Sequence, residues 1–354
     1  ANLAIAIAVR LLNPDVPVIA RARSAAVTAN MASFGTDHII NPFERFADHL
    51  ALAVASPERF RLIELLTSLP ESPIPEPHRP PRGHWILCGY GSFGRAVADR
   101  LRDTGITLTI IDPAAKDAGQ QFMGDGTEAI TLRQAGIDQA TGIVAGTDND
   151  INNLSIAVTA RELKPELFVV TRQNQAANSP LFTAFGADFT VLPSRIVAQE
   201  TIAILTAPLL ARFLEHVHKL DETQCRQLVE RLQAECGDLT PAVWDIRLDG
   251  EEAPAITQAL INSRPIQLGE IMRDGADRSC RLPIVPLLVE RGADSLLLPN
   301  ETLVLQAGDR LLFASTLAAR RDLELSLNNA NELDFVLTGH ENSGSLLGRL
   351  LATG

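Results

Sequence analysis

The clearest chemical signal is Gly89-Tyr90-Gly91-Ser92-Phe93-Gly94, which reads G-x-G-x-x-G. It directly follows an apolar run, Trp85–Cys88, and opens a helix-like stretch reaching Thr104. In such a strand-loop-helix setting each glycine has a task. The first permits a tight turn, the second lets a pyrophosphate approach the backbone, and the third lets helix and strand pack closely. The helix N-terminus adds unpaired N–H groups and a partial positive charge. The chemistry implied is capture of a nucleotide phosphate. The competing reading is a loop that keeps the fold without a ligand.

Several residues could complete such a site. Asp112 ends the next strand, 18 residues after Gly94. A carboxylate there accepts hydrogen bonds from ribose hydroxyls and repels a 2′-phosphate, favouring NAD or an adenine nucleotide over NADP. Arg95 follows the third glycine and is either a phosphate contact or a surface residue. Asp125 and Gly126 follow a third short strand, and Thr147-Asp148 follow the strand Gly142–Ala145. Both pairs lie at C-terminal strand ends, where open α/β sheets bind ligands, although a turn-forming role explains each equally well.

No catalytic set accompanies this loop. The only tyrosine is Tyr90, so a Tyr-x-x-x-Lys dehydrogenase pair is impossible. None of the seven histidines (His38, His49, His78, His84, His216, His218 and His340) sits in a hydroxy-acid dehydrogenase setting, and no H-E-x-x-H or G-x-S-x-G occurs. His216-x-His218 lacks the further ligands of a zinc site. Asp249-Gly250-Glu251-Glu252 offers oxygen ligands for a divalent cation but reads better as a solvated loop. Binding without catalysis is the expectation, and an NAD-dependent oxidoreductase is the weaker alternative.

The surrounding elements must hold this loop. Strand-like runs at His84–Cys88, Thr107–Ile111, Gly142–Ala145, Leu167–Thr171 and Asp188–Leu192 alternate with helical stretches at Asn149–Leu163 and Gln175–Phe185. Apolar strands alternating with helices predict a Rossmann-like, doubly wound α/β domain with a parallel sheet covered on both faces. Its back half is also written earlier. Asn2–Pro42 repeats as Asn153–Pro193 at a constant offset of 151, with 15 of 41 positions identical. Chance gives about 3. Arg10 and Arg161, Arg21 and Arg172, and Asp37 and Asp188 are among the matched pairs.

The expected organisation is therefore a half copy plus a full copy and a small lobe. Residues 1–69 are the back half of a first domain, with a helical stretch from Phe43 to Leu69. Residues 70–83 are a linker: six prolines fall in the sixteen residues Ser68–Gly83. Residues 84–218 are the complete domain, ending in a helix from Ser194 to about His218. Its apolar positions Ile196, Ile202, Leu205, Leu209 and Phe213 serve either its own core or a partner. Residues 219–239 connect to a C-terminal α+β module, 240–354, with short strands at Val243–Leu248, Ile284–Glu290, Thr302–Leu305 and Arg310–Ala314, and short helices at Ala255–Ala259 and Leu268–Met272. A half domain leaves a bare parallel edge, which is a liability, so an equivalent glycine loop is expected about 62 residues upstream of Ala1.

Composition limits the partners. The 354 residues carry 31 basic and 43 acidic side chains, a net charge of −12. That argues against a nucleic-acid backbone or an anionic membrane surface as the main partner. No stretch reaches the ~18 consecutive apolar residues of a membrane span. The four cysteines form no C-x-x-C pair, which fits a reducing compartment.

Gly89–Gly94, Asp112, Gly124–Thr127 and the stretch Thr147-Asp148-Asn149-Asp150-x-Asn152-Asn153-Leu154 resemble the regulators of potassium conductance (RCK), also called Trk-type NAD-binding domains. Arg172 and Phe185-Gly186-Ala187-Asp188 extend the match, and residues after Thr240 resemble the family's C-terminal lobe more loosely. The resemblance implies a cytoplasmic module on the inner side of the cell membrane. Its dimers would build the gating ring of a tetrameric potassium channel whose pore lies upstream in the parent chain. NAD, NADH, ATP or ADP is the implied ligand, a divalent cation is unassigned, and a Trk/Ktr-type transporter subunit is the alternative. The implied contacts are Gly89, Tyr90, Gly91, Ser92, Phe93, Gly94, Arg95, Asp112, Asp125, Gly126, Thr147, Asp148 and Arg172.

Overall fold

The computed structural model describes residues 2–114 and 121–339. The stretch from Glu341 to Gly354, which the sequence leaves hard to place, and His340 lie outside the described residues. The chain divides into two compact units. One comprises Ala1–Arg61 and Glu76–Thr201, so the half copy and the full copy share it. The other comprises Leu62–Pro75 and Ile202–Gly354.

The half copy runs α1 (Asn2–Leu12), β1 (Ile19–Arg21), α2 (Ala25–Ser33), β2 (His38–Ile40), α3 (Pro42–Ala55) and α4 (Pro57–Thr67). Strands β1 and β2 form a parallel pair. Side chains of Ser24 and Asn41 cap α2 and α3. The single helix expected from Phe43 to Leu69 is two helices. Pro57 supplies no N–H and forces Ser56 out of the helical region, to φ −145° and ψ 74°.

The full copy runs β3 (His84–Cys88), α5 (Ser92–Asp103), β4 (Thr107–Ile111), β5 (Gln121–Phe122), α6 (Ala129–Gln134), β6 (Gly142–Ala145), α7 (Asp150–Leu163), β7 (Phe168–Arg172), α8 (Ser179–Phe185), β8 (Phe189–Val191) and α9 (Pro193–Thr206). Its six strands are all parallel, ordered β5-β4-β3-β6-β7-β8. This is the doubly wound topology, with β3 and β6 central and the order reversing between them. One face packs Trp85 and Leu87 with Phe93, Val97 and Leu101 of α5, and α3 adds Phe43, Phe46, Leu50 and Val54 to the same core. The other packs Ile86 and Ile143 with Leu132, Ile156 and Ala160 of α6 and α7. Each large apolar side chain so buried contributes about 1.5–3 kcal/mol.

The second unit holds α10 (Pro208–His216), α11 (Glu222–Cys236), β9 (Ala242–Arg247), α12 (Pro254–Ile261), α13 (Leu268–Ile271), β10 (Ile284–Arg291), β11 (Asp294–Leu297), β12 (Arg310–Ser315), α14 (Leu317–Asn328) and α15 (Ala330–Thr338). Its antiparallel sheet is ordered β11-β10-β12-β9. Pro286 is accommodated in the central strand β10 at a register shift, as a residue without an N–H requires. The continuous helix expected from Ser194 to His218 breaks at Pro208, with Ala207 at φ −147°. Ile202 and Leu205 stay exposed, while Leu209 and Phe213 enter the core. The strand expected at Thr302–Leu305 is absent. Asn300 turns the chain by accepting the Thr302 N–H at 3.0 Å, and only Val304 bridges, to Gln267. The fourth strand is β11, paired to β10 across Gly292-Ala293. Among the described residues no single helix is long and apolar enough to cross a membrane.

Candidate nucleotide-binding site

Gly89 leaves β3 at φ +94°, a conformation other residues avoid. A Cβ on it would lie 3.1 Å from the Thr147 nitrogen. Gly94 is the close-packing glycine, since a Cβ there would sit 1.9 Å from the Gly89 carbonyl oxygen. Gly91 behaves differently. It has φ −71°, and a Cβ on it would meet nothing within 4 Å. The space beside Gly91 is open, as a phosphate cradle requires.

Gly91 caps α5 without a side-chain hydrogen bond. The amides of Ser92, Phe93 and Gly94 open the helix and have no intrahelical carbonyl to bond. The first such bond is from the Arg95 N–H to the Gly91 carbonyl, at 2.9 Å. Phe93 does not face this mouth. Its ring is buried and packs edge-on against Phe43 and stacked against Phe46, with centroids 5.7 and 5.5 Å apart.

Asp112 lies where the sequence places it, one residue after β4. It accepts the Tyr90 N–H at 2.5 Å through one carboxylate oxygen and the Ala114 N–H at 2.8 Å through the other. The carboxylate is thus tied to the glycine loop and retains acceptor capacity for a hydroxyl. Arg95 donates to the Tyr90 carbonyl at 3.0 Å and stands 5.9 Å from the Tyr90 ring centroid.

Asp125 is used locally, accepting the Thr127 N–H at 2.9 Å. Gly126 lies over Cys88, whose sulfur would stand 2.8 Å from an added Cβ. Burial pushes that thiol up to about 12. Thr147 and Asp148 form the turn before α7. Arg172 ends β7 with its guanidinium 4.8 Å from the Phe43 ring centroid and 5.3 Å from that of Phe93. Burial lowers its pKa from the ordinary arginine value, and the neighbouring Arg21 and Arg23 add to the lowering. Arg172 thus stands against the rings of Phe43 and Phe93, with its guanidinium 3.5 Å from the Gly146 carbonyl oxygen.

Beside the loop lies a cleft of about 430 Å³. Ser92 and Arg95 line it from α5, and Arg23, Ser24, Asn41 and Phe43 line it from the half copy. None of these four half-copy residues is picked out by the glycine pattern. For Arg23 and Ser24 the signal is the internal repeat, since they follow β1 where Asn174 and Gln175 follow β7. Asp249 lies apart from this site and accepts the Glu251 and Glu252 N–H groups in its own turn. No group of three or more His, Cys, Asp or Glu placed to hold a metal occurs among the described residues.

Comparison with known proteins places this geometry. The TrkA-N domain family matches residues 85–193. Potassium channel protein 1 of Methanocaldococcus jannaschii is 27% identical over 150 residues, covering 40% of this chain and 44% of that protein. The Trk system potassium uptake protein TrkA of Streptomyces coelicolor is 32% identical over 88 residues, covering 23% of this chain and 40% of that one. The chain thus spans less than half the length of either relative. A solved GsuK RCK domain covers 96% of this chain and 78% of its own, at 18% identity and a TM-score of 0.46. The six-stranded parallel sheet, the glycine loop at its first turn and the family match coincide on one segment: residues 85–193 match the TrkA-N domain family.

Proposed function

We propose that this chain is a nucleotide-sensing regulatory module of a potassium channel, acting by binding rather than by catalysis. The observation that carries the reading is the open space at Gly91 beside the unpaired amides of Ser92, Phe93 and Gly94. Those amides would hold a pyrophosphate, and Asp112 would accept from ribose hydroxyls. Arg95 and Arg23, which both line the adjoining cleft, would face more distal phosphates. The ligand supplies negative charge, and these residues orient it and meet that charge. Asp112 disfavours a 2′-phosphate, so NAD, NADH, ATP and ADP are the candidates.

Regulation requires that the ligand bind one conformation more tightly than another. A tenfold difference supplies about 1.4 kcal/mol per site. Because α3 packs against α5, movement of the loop reaches the half copy directly. On this reading the chain lies on the cytoplasmic side of the membrane, assembles through its own copies into a ring, and acts on a pore. The match to a Trk uptake protein supports a second reading, a transporter subunit carrying the same site.

Titration calorimetry with NAD, NADH, ATP and ADP tests the proposal. Saturable binding of at least one is expected. Absence of binding by all four would remove nucleotide sensing as the function.

A further inference from the structure

Asn153 sits in the first turn of α7, outside the set of residues the glycine pattern selects, and it is fully buried. Its carboxamide is committed on both sides. Oδ1 accepts the Thr147 N–H at 2.8 Å and the Thr147 hydroxyl at 2.7 Å. Nδ2 donates to the Thr147 carbonyl at 3.0 Å and to the Arg172 carbonyl at 2.7 Å. One side chain therefore holds both backbone groups of Thr147 and ties them to the end of β7.

The Thr147 peptide is in turn the wall behind the glycine loop. The Cβ position of Gly89 lies 3.1 Å from the Thr147 nitrogen and 3.2 Å from the Gly146 carbonyl carbon. Gly89, at φ +94°, starts the turn that presents the α5 amides. The gap between them is too narrow for a methyl group, so a shift of the Thr147 peptide is passed to Gly89, because interiors are close-packed. We infer that Asn153 is a positioning residue of the nucleotide site: it fixes the Thr147 peptide, and through it the glycine loop. The inference rests on the glycine loop being the nucleotide site, as proposed above.

Asn153→Asp keeps the shape and replaces both Nδ2 donor bonds with an oxygen facing two carbonyls. Asn153→Ala removes all four bonds. Leu132→Ala, a truncation in the core of the same domain, controls for lost stability alone. Each protein is titrated with ADP and with NAD at a temperature where circular dichroism shows it fully folded, and the amide resonance of Gly89 is recorded. Both Asn153 variants should bind at least tenfold more weakly and shift the Gly89 resonance, while Leu132→Ala changes neither. Wild-type affinity with an unmoved Gly89 resonance in the Asn153 variants, or an equal loss in Leu132→Ala, would overturn the assignment. If Asn153→Ala does not fold, Asn153→Asp decides. If the wild type binds neither ADP nor NAD, the titrations are repeated with ATP and NADH; binding of none of the four removes the proposed function, and the Gly89 resonance alone then decides the positioning role.

Discussion

The Arg161 guanidinium meets the Asp188 carboxylate at 2.7 Å, and 151 residues earlier Arg10 meets Asp37 at 2.6 Å. Each aspartate also accepts a backbone N–H at the start of the preceding strand segment, Val169 at 2.8 Å and Val18 at 2.7 Å. Asn153 reaches the Arg172 carbonyl as Asn2 reaches that of Arg21. The strand registers agree as well, with Val170 opposite Phe189 and Ile19 opposite His38. The repeat is thus preserved as hydrogen bonds, not only as letters.

Removing one of these aspartates should expose its double role. Asp188→Ala loses a charge partner and leaves the Val169 N–H unpaired, at a cost of about 1–2 kcal/mol. Asp188→Asn keeps an acceptor and should lose less. Urea unfolding monitored by circular dichroism measures the difference.

Acid sensitivity follows from carboxylates held below their ordinary range, Asp37 and Asp150 among them. At Asp37 the Val18 N–H and the Arg10 guanidinium lower it. At Asp150 burial opposes ionisation, but hydrogen bonds from Asn178, Asn174 and Gln175 outweigh it. A depressed carboxylate stabilises the fold above the unfolded pKa, about 4, and that contribution is lost as pH falls through the lower folded value. The urea midpoint should therefore drop on acidification below about pH 4. In Asp150→Asn it should drop less steeply.

Much of this was legible beforehand, and the gaps have physical causes. The apolar runs of the full copy predict strands because the central ones are buried on both faces, as at Gly142–Ala145. Arg10, Asp37 and their counterparts stand out because an ion pair needs both members. The breaks at Pro57 and Pro208 were hidden by apolar spacing that continues across each proline, although the prolines themselves marked them. The cleft residues Arg23, Ser24 and Asn41 come to Ser92 and Arg95 only because Phe43, Phe46 and Leu50 dock α3 on α5. That is tertiary packing, which no local pattern encodes. Asn153 was visible as the repeat's match to Asn2 and as part of a resemblance, and its role emerged from its four bonds.

The second unit buries the carboxylate of Asp309 beside an arginine. Asp309 is 1% exposed and takes both its oxygens to Arg291, at 2.8 Å each, with the Gln306 N–H as a further donor. Arg291→Ala strands that charge and should cost about 3 kcal/mol. Thermal unfolding that left the second unit as stable as wild type would contradict this.

Thiol chemistry should separate the cysteines. Cys280 is exposed, whereas Cys88 is buried with its pKa pushed up to about 12. A disulfide reagent at pH 8 should label Cys280 in the folded protein and leave Cys88 untouched until denaturant is added. Peptide mapping by mass spectrometry reads the outcome.

The second and third glycines of the loop should respond differently to an added methyl group. Gly94→Ala drives a methyl into the Gly89 carbonyl and should lower stability by about 3 kcal/mol. Gly91→Ala has open space and an ordinary φ. It should unfold at the wild-type temperature, which differential scanning calorimetry will show.

The central claim is that the loop beside Gly91 receives a nucleotide phosphate. Titration calorimetry of Gly91→Asp against the nucleotide that binds the wild type tests it most directly. The Cβ of the new side chain meets no protein atom within 4 Å, and its carboxylate repels an anion. Affinity should fall by at least about tenfold, equivalent to about 1.4 kcal/mol, with the unfolding temperature unchanged. Wild-type affinity in a folded Gly91→Asp protein would contradict the account.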